Sequence, residues 1–370
     1  MFKPIFIVGM FRSATTLLSK VLNAHSKINI VSDPFFQFFK EYRNEMYSEL
    51  DFDYGAPISD NFFSDYLDVN EKIKNSNFKV PFKRVGLNSV VESISPFCEF
   101  YCPELVPLLP GIKAENYDEL FRKLLDLGKK VYGSEEIEFV GCKNTFCEQF
   151  ISPMINTYPN IKVIQIVRDP RAILASQNKA AGGAYPILFV LRHWRKSIAY
   201  ALENIDKKDN FLLVQYERFI ENPEIETRII CSFLDIDYEG EMVNPKKYVS
   251  KEGKQWKQNS SFGTSTKITN KFSEKWKEIL TKDQIKFVEN LCYPEMKLFN
   301  YERFISPGDF TNLPEFNIEI QDWIKKYSSE FDIGPREMKK EEIRKYHLDK
   351  SEESKKVFII DDFIYKLKNY

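Results

Sequence analysis

A chain of 370 residues, 43% of them hydrophobic, is long enough to bury one large core with insertions, and its 53 Lys and Arg nearly cancel its 54 Asp and Glu. That balance excludes a global basic field that would recruit nucleic acid or an anionic membrane surface, so any anionic ligand has to be held by a local site. The amino-terminal apolar run is too short to span a bilayer and no later stretch reaches the roughly 18 apolar residues required, while six cysteines without a CxxC pair and only three histidines give a zinc site few ligands. The expectation is a cytoplasmic protein with free thiols, no membrane span and no metal.

In chain order, PIFIVG at residues 4–9 predicts a buried strand, followed by a turn and a helix. Residues 35–137 are rich in aromatics, and DPFFQFFKEYRNEMY and YDELFRKLLDLGKKVY within and beside them show helical spacing, which predicts a helical insertion. EFVGCK from Glu138, KVIQIVRDP from Lys162 and NFLLVQYE from Asn210 are three further strand signals. Short β-branched or aromatic runs with helical pattern between them favour parallel strands joined by crossover helices. The predicted fold is therefore α/β, a three-layer P-loop-like arrangement with a central parallel sheet and ligands at the carboxyl ends of the strands. Pro223 after Asn222 marks a helix start, and Thr281 is a candidate N-cap for a helix over TKDQIKFVENLC. We read residues 1–302 as one domain and 303–370, with the charged run REMKKEEIRKYHLDKSEESKK, as a solvated helical appendage.

The turn after the first strand has the shape of a phosphate loop with altered chemistry. A Walker loop reads GxxxxGK[ST], but here Gly9 to Thr16 carry Ala14 at the second glycine, Thr15 at the lysine, and the cation as Arg12. Free N–H groups at the start of the helix still favour an anion, and the hydroxyls of Ser13, Thr15 and Thr16 add donors. The plainer reading is an ordinary strand-to-helix turn with Ser13 as N-cap. Farther on, IVRDPRAILASQ places Arg168 at a strand end and Ser176 about two helical turns later, a guanidinium fork and a hydroxyl suited to a second phosphate.

Taken together, FRSATT and RDPRAILAS resemble the 5′-phosphosulfate loop and the 3′-phosphate motif of the sulfotransferase family. These enzymes use 3′-phosphoadenosine-5′-phosphosulfate (PAPS), and the likeness is to the branch that includes tyrosylprotein and carbohydrate sulfotransferases. GCKNTF is similar to the family's strand-end lysine motif and VQYERFIENPE to its YEdLvxdPe segment. NSSFGTSTKITNKFSEKW looks like the late loop that folds over the cofactor. The resemblance covers residues 4–34 and 138–302, and five motifs in one order are far more specific than any one.

It implies a nucleotide site made of Arg12, Ser13, Ala14, Thr15, Thr16, Arg168, Ser176, Tyr216, Ser260, Ser261, Phe262 and Lys275. It further implies a catalytic set of Arg12, Lys143, Ser260 and, as general base, Asp33. The reaction implied moves a sulfonate to a hydroxylated acceptor, a glycan or small metabolite, releasing 3′-phosphoadenosine-5′-phosphate without a metal. For Asp33 the competing reading is a cap on the helix beginning near Phe35. His25, His193 and His347 are rival bases with structural readings: the end of the first helix, a helix core and the charged tail. A P-loop kinase lacks its lysine here and a clear magnesium-binding acid after a strand. A non-catalytic nucleotide-binding relative would not need Arg12, Asp33 and Lys143 intact.

Overall fold

The computed structural model describes residues 2–48, 67–177, 185–249, 256, 258–260, 263–265, 268–306 and 314; for 67–70, 177, 258–260 and 263–265 it describes the backbone alone. Five strands form one parallel sheet in the order β2-β3-β1-β4-β5. They are β1 (Lys3–Gly9), β2 (Ile28–Ser32), β3 (Phe139–Thr145), β4 (Lys162–Val167) and β5 (Phe211–Gln215). The four strands expected from sequence are present, and β2 is an addition. INIVS was expected only as a run between the first helix and Asp33, yet it pairs along β3 from Ile28 opposite Phe139 to Ser32 opposite Lys143.

The period of two in β1 divides the core. Phe6 and Val8 enter one hydrophobic layer, and Ile5 and Ile7 enter the other. The second layer is closed by α1 (Thr15–Asn23), through Leu17, Leu18, Val21 and Leu22. The first is closed by the region between β2 and β3, with α2 (Phe36–Tyr47), α3 (Leu67–Lys74), α4 (Leu87–Tyr101) and α5 (Tyr117–Tyr132). Many of its described aromatics are plain core, since Phe35, Phe38, Phe39, Tyr42, Phe78 and Phe121 are fully buried against one another. Three helices follow β3 and β4: α6 (Ile151–Thr157), α7 (Pro170–Gln177) and α8 (Ile187–Asn204). After β5 come α9 (Tyr216–Glu221), α10 (Pro223–Leu234), a short hairpin of β6 (Gln258–Ser260) and β7 (Gly263–Ser265), α11 (Trp276–Ile279) and α12 (Lys282–Lys297).

Local signals account for several ends. Pro223 opens α10, where its missing N–H costs nothing. Thr281 caps α12 through a reciprocal pair: the Gln284 N–H donates to its Oγ1 at 3.3 Å and its own N–H donates to Gln284 Oε1 at 3.0 Å. Gly9 ends β1 at φ 153°, and a Cβ there would lie 2.6 Å from the Ile166 carbonyl oxygen of β4, so the turn into the loop admits no side chain. Among the described residues all six cysteines are free and buried, and no helix is long and apolar enough to cross a membrane. Apart from residues 303–306 and 314, the expected appendage lies outside the described residues.

Candidate active site

Four adjacent strands deliver one charged residue each to the carboxyl edge of the sheet. Arg12 lies in the loop after β1, Asp33 directly follows β2, Lys143 lies near the end of β3, and Arg168 directly follows β4. Their backbones are unusual. Arg12 (φ 63°), Ala14 (φ 70°), Asp33 (φ 56°) and Phe146 (φ 61°), three residues past Lys143, all take the left-handed conformation although none is glycine. Such strain persists where surrounding structure imposes it, and it concentrates at functional loops.

In the first loop the alternative of Ser13 as N-cap does not hold. The N-cap of α1 is Ala14, without a side-chain capping bond, and the buried Ser13 hydroxyl has no hydrogen-bond partner. The α1 N–H groups thus face the loop uncapped by a side chain. Ala14 occupies a left-handed position that glycine fills without penalty, so Ala14→Gly is expected to stabilise the fold. The gain is about 0.5–1 kcal/mol after subtracting glycine's greater unfolded-state freedom. Denaturant unfolding of the two proteins at one pH checks it, and a loss of stability contradicts the conformational argument.

The two arginines meet. Arg12 Nε donates to Ser176 Oγ at 3.0 Å, and Arg168 Nη1 donates to the Arg12 carbonyl oxygen at 2.8 Å. The Arg168 guanidinium also lies 4.5 Å from the centre of the Tyr216 ring. Burial, and next the neighbouring positive charge of Arg168, lower the Arg12 pKa. Arg168 Nε is buried without a partner, as Ser13 Oγ is. Two cations pressed together beside unsatisfied donors form a cradle for a multiply charged anion. Trp194 in α8 holds the strand end in place by donating Nε1–H to the Arg168 carbonyl oxygen at 2.8 Å.

Beside this cradle the almost fully buried Lys143 ammonium pairs with Asp33 Oδ2 and donates to Thr16 Oγ1 at 3.3 Å. The Asp33 N–H donates to the Lys143 carbonyl oxygen at 2.6 Å. Capping does not explain Asp33, because the N-cap of α2 is Phe35 and it carries no side-chain capping bond. Among the histidines, His25 shares a hydrogen between Nε2 and the Asp237 carbonyl oxygen at 2.9 Å and accepts from the Lys27 N–H at 3.0 Å, so it ties the end of α1 to the 237–239 segment. His193 is buried with its ring edge-on to Phe146 at 4.6 Å, and burial pushes its pKa down, leaving it neutral. His347 lies outside the described residues.

The late-loop residues are described only in part, and no described contact joins them to this cluster. Ser260 is the last residue of β6, described by its backbone alone, and Ser261 and Phe262 lie outside the described residues. Lys275 pairs with Glu278 on its own turn at 2.6 Å and has no described contact with Arg12, Lys143 or Arg168. The other acids after strands are committed elsewhere. Asp169 is held by Arg171, whose Nη2 lies 2.7 Å from Asp169 Oδ2 and whose Nη1 lies 2.6 Å from Glu289 Oε1. Among the described residues no cluster of three metal-ligating side chains occurs.

Glu217, the acid that follows Tyr216 in VQYERFIENPE, is assigned no role by the sequence. It accepts from the Tyr301 hydroxyl at 2.6 Å and from the Asp169 N–H at 3.1 Å, beside a cavity of about 600 Å³ that Trp276 and Phe304 also line. Burial, then the Asp169 charge, raise its pKa from 4.5 to about 7, against the Tyr301 and Asp169 N–H hydrogen bonds and the Arg168 charge. A carboxyl raised in the folded state contributes stability below its unfolded pKa and loses that contribution as pH rises through the folded value. Stability should therefore fall between pH 4.5 and about 7 on this group's account, and Glu217→Gln should flatten that part of the profile. Thermal midpoints of both proteins across this range test it; identical slopes refute it.

With the geometry in place, comparison with known proteins is decisive for the family. Residues 4–240, more than half of the chain, match the sulfotransferase family. The chain belongs to that family. Over 181 residues it is 28% identical to carbohydrate sulfotransferase 3 of Tetronarce californica, which covers 42% of this chain and 39% of that protein. Over 193 residues it is 25% identical to carbohydrate sulfotransferase 1 of Homo sapiens, covering 44% of each. The matches thus span less than half the length of these relatives. Among solved structures, a sulfotransferase domain from the curacin biosynthetic pathway covers 82% of this chain and 99% of its own at 15% identity, with a TM-score of 0.49.

Proposed function

We propose that this sulfotransferase-family chain transfers a sulfonate from PAPS to the hydroxyl of an acceptor, a glycan or a small hydroxylated metabolite. The observation that carries the proposal is the meeting of Arg12 and Arg168 beside the unsatisfied Ser13 Oγ and Arg168 Nε. Two phosphate-sized anions joined by a ribose fit this arrangement, one at the α1 N-terminus and one at Arg168 and Ser176. The buried Tyr216 ring, 4.5 Å from the Arg168 guanidinium, supports that side chain at the strand end.

When bound, PAPS supplies the activated sulfonate and a phosphate leaving group. The chain's residues would orient and neutralise that group, as in other transfers whose chemistry is mainly positioning and electrostatics. Arg12 and the α1 N–H groups would hold the 5′ end, and Lys143, which donates to Thr16, would neutralise charge developing on the leaving phosphate. Asp33, on the other side of Lys143, accepts the acceptor's proton. The carbohydrate sulfotransferase relatives support a glycan acceptor. Buried free thiols fit a reducing, cytoplasmic setting.

Calorimetry with 3′-phosphoadenosine-5′-phosphate and with ATP tests the donor. Tight binding of the first and weak binding of the second is expected, and the reverse order would favour a kinase. Transfer of labelled sulfate from PAPS then separates an enzyme from a non-catalytic relative.

A further inference from the structure

The peptide that joins Arg168 to Asp169 lies just past the last paired residue of β4, Val167 opposite Gln215. Its two polar groups point in opposite directions and are met there by side chains. Trp194 of α8 donates Nε1–H to the Arg168 carbonyl oxygen at 2.8 Å, and Glu217, at the start of α9, accepts the Asp169 N–H on Oε1 at 3.1 Å. A peptide gripped at both groups cannot rotate, and its rotation is what would swing Arg168 away from a ligand. Glu217 is fixed in turn, because its Oε2 accepts from the buried Tyr301 hydroxyl at 2.6 Å.

The charges around Glu217 are committed elsewhere. Arg171 of α7 serves two carboxylates at once, Asp169 and Glu289 of α12. On α9, Arg218 pairs with Glu226 at 2.8 Å, and Glu221 adds a further acid to the cavity wall. Across the cavity Lys277 pairs with Glu274, Arg303 donates to Asn290 at 3.3 Å, and Glu302 is one more acid. Asp169 repels an ionised Glu217, and among the described residues Arg168 is the cation whose field opposes that repulsion. In the proposed transfer, however, the charge of Arg168 belongs to the 3′-phosphate of the donor.

An ionised Glu217 competes with that phosphate for Arg168. A neutral Glu217 does not, and it keeps the Asp169 N–H on Oε1 while sharing its proton with the Tyr301 hydroxyl on Oε2. We propose that Glu217 is a positioning residue for the 3′-phosphate of the donor: as the neutral acid it holds the Arg168–Asp169 peptide from behind, and phosphate binding draws a proton onto it. This rests on the sulfonate transfer proposed above. Burial, and then the Asp169 charge, already raise its pKa to about 7, and a second anion at Arg168 raises it further. By linkage, affinity for the 3′-phosphate falls as pH climbs through that range. A phosphate monoester completes its own ionisation near pH 6, so above about pH 7 the ligand's charge is nearly constant and the slope belongs to the protein. Glu217 is only partly buried, and the cavity of about 600 Å³ beside it gives the proton a route to solvent.

Calorimetry on the full chain at about pH 7 and about pH 8.5 tests this, with 3′-phosphoadenosine-5′-phosphate and with adenosine 5′-phosphosulfate, which lacks the 3′-phosphate. The wild-type chain should bind the first on the order of 10-fold more weakly at the higher pH and the second equally at both. Glu217→Gln keeps an oxygen for the Asp169 N–H and carries the neutral form at every pH. It should match the wild type within about 2-fold at the lower pH and lose the slope. Glu217→Leu removes the acceptor and should weaken 3′-phosphoadenosine-5′-phosphate on the order of 10-fold at both pH values, leaving adenosine 5′-phosphosulfate within about 2-fold. A flat wild-type profile, a slope that persists in Glu217→Gln, or losses in Glu217→Leu that are absent or equal for the two nucleotides overturns the proposal. Should Glu217→Leu fail to fold, the slopes of the other two proteins decide. A wild-type chain that binds neither nucleotide overturns the donor reading instead.

Discussion

Arg168→Ala is expected to weaken 3′-phosphoadenosine-5′-phosphate by about 2–4 kcal/mol, roughly 30- to 1,000-fold, while adenosine 5′-phosphosulfate, which lacks the 3′-phosphate, loses little. The selectivity follows from the position of this side chain: its Nε is buried without a partner, while Nη1 is already engaged by the Arg12 carbonyl oxygen. Because that second bond also braces the first loop, alanine could in principle disturb both nucleotides. Arg168→Lys separates the two effects, since an ammonium keeps the charge but not the planar fork, and it should recover only part of the lost affinity. Calorimetry with both nucleotides on the three proteins is the measurement. Equal losses for the two nucleotides would remove Arg168 from the 3′-phosphate and leave it a bracing role only.

The strands that carry this site were legible because each is a short apolar run bounded by a helical pattern, as in PIFIVG and KVIQIV. The edge strand β2 was not. Five residues ending at Ser32 are too few to establish a period, and only pairing with β3 makes them a strand. That omission mattered for Asp33, which is at a strand's carboxyl end and so follows the same placement rule as Arg12, Lys143 and Arg168.

Arg12 and Arg168 were recognised as side chains suited to anions, and Lys143 and Asp33 through the family resemblance, but the contacts of all four were not. Arg12 and Ser176 are 164 positions apart, and Lys143 and Asp33 are 110 apart. No local periodicity encodes such meetings; the topology creates them. Left-handed backbone at Arg12, Ala14, Asp33 and Phe146 was equally hidden, since glycine is the residue that usually announces it. The insertion's aromatics illustrate the same limit. Helical spacing predicted α2, but whether a ring such as Phe38 enters the core or one such as Phe36 stays partly buried depends on which neighbours arrive from α4 and α5.

Asp33→Asn is expected to lower turnover by about 10²–10⁴ while leaving nucleotide affinity nearly intact, because an amide keeps the carboxylate's shape but cannot accept the acceptor's proton at neutral pH. The structure sharpens what a null result would mean. Asparagine caps helices about as well as aspartate, so a capping residue would tolerate the change; since the N-cap of α2 is Phe35, tolerance can no longer be assigned to capping. A different confounder is Lys143, whose buried ammonium loses its ionic partner in the variant and keeps only the Thr16 hydroxyl and the new amide. Thermal unfolding of the variant shows whether that loss destabilises the fold, and 3′-phosphoadenosine-5′-phosphate binding shows whether the site survives. Lost turnover in a folded, nucleotide-binding variant is the signature of the missing base. Turnover near the wild-type value would discard Asp33 as the proton acceptor, and with His193 buried and neutral against Phe146, the proton would then have to leave through the substrates themselves.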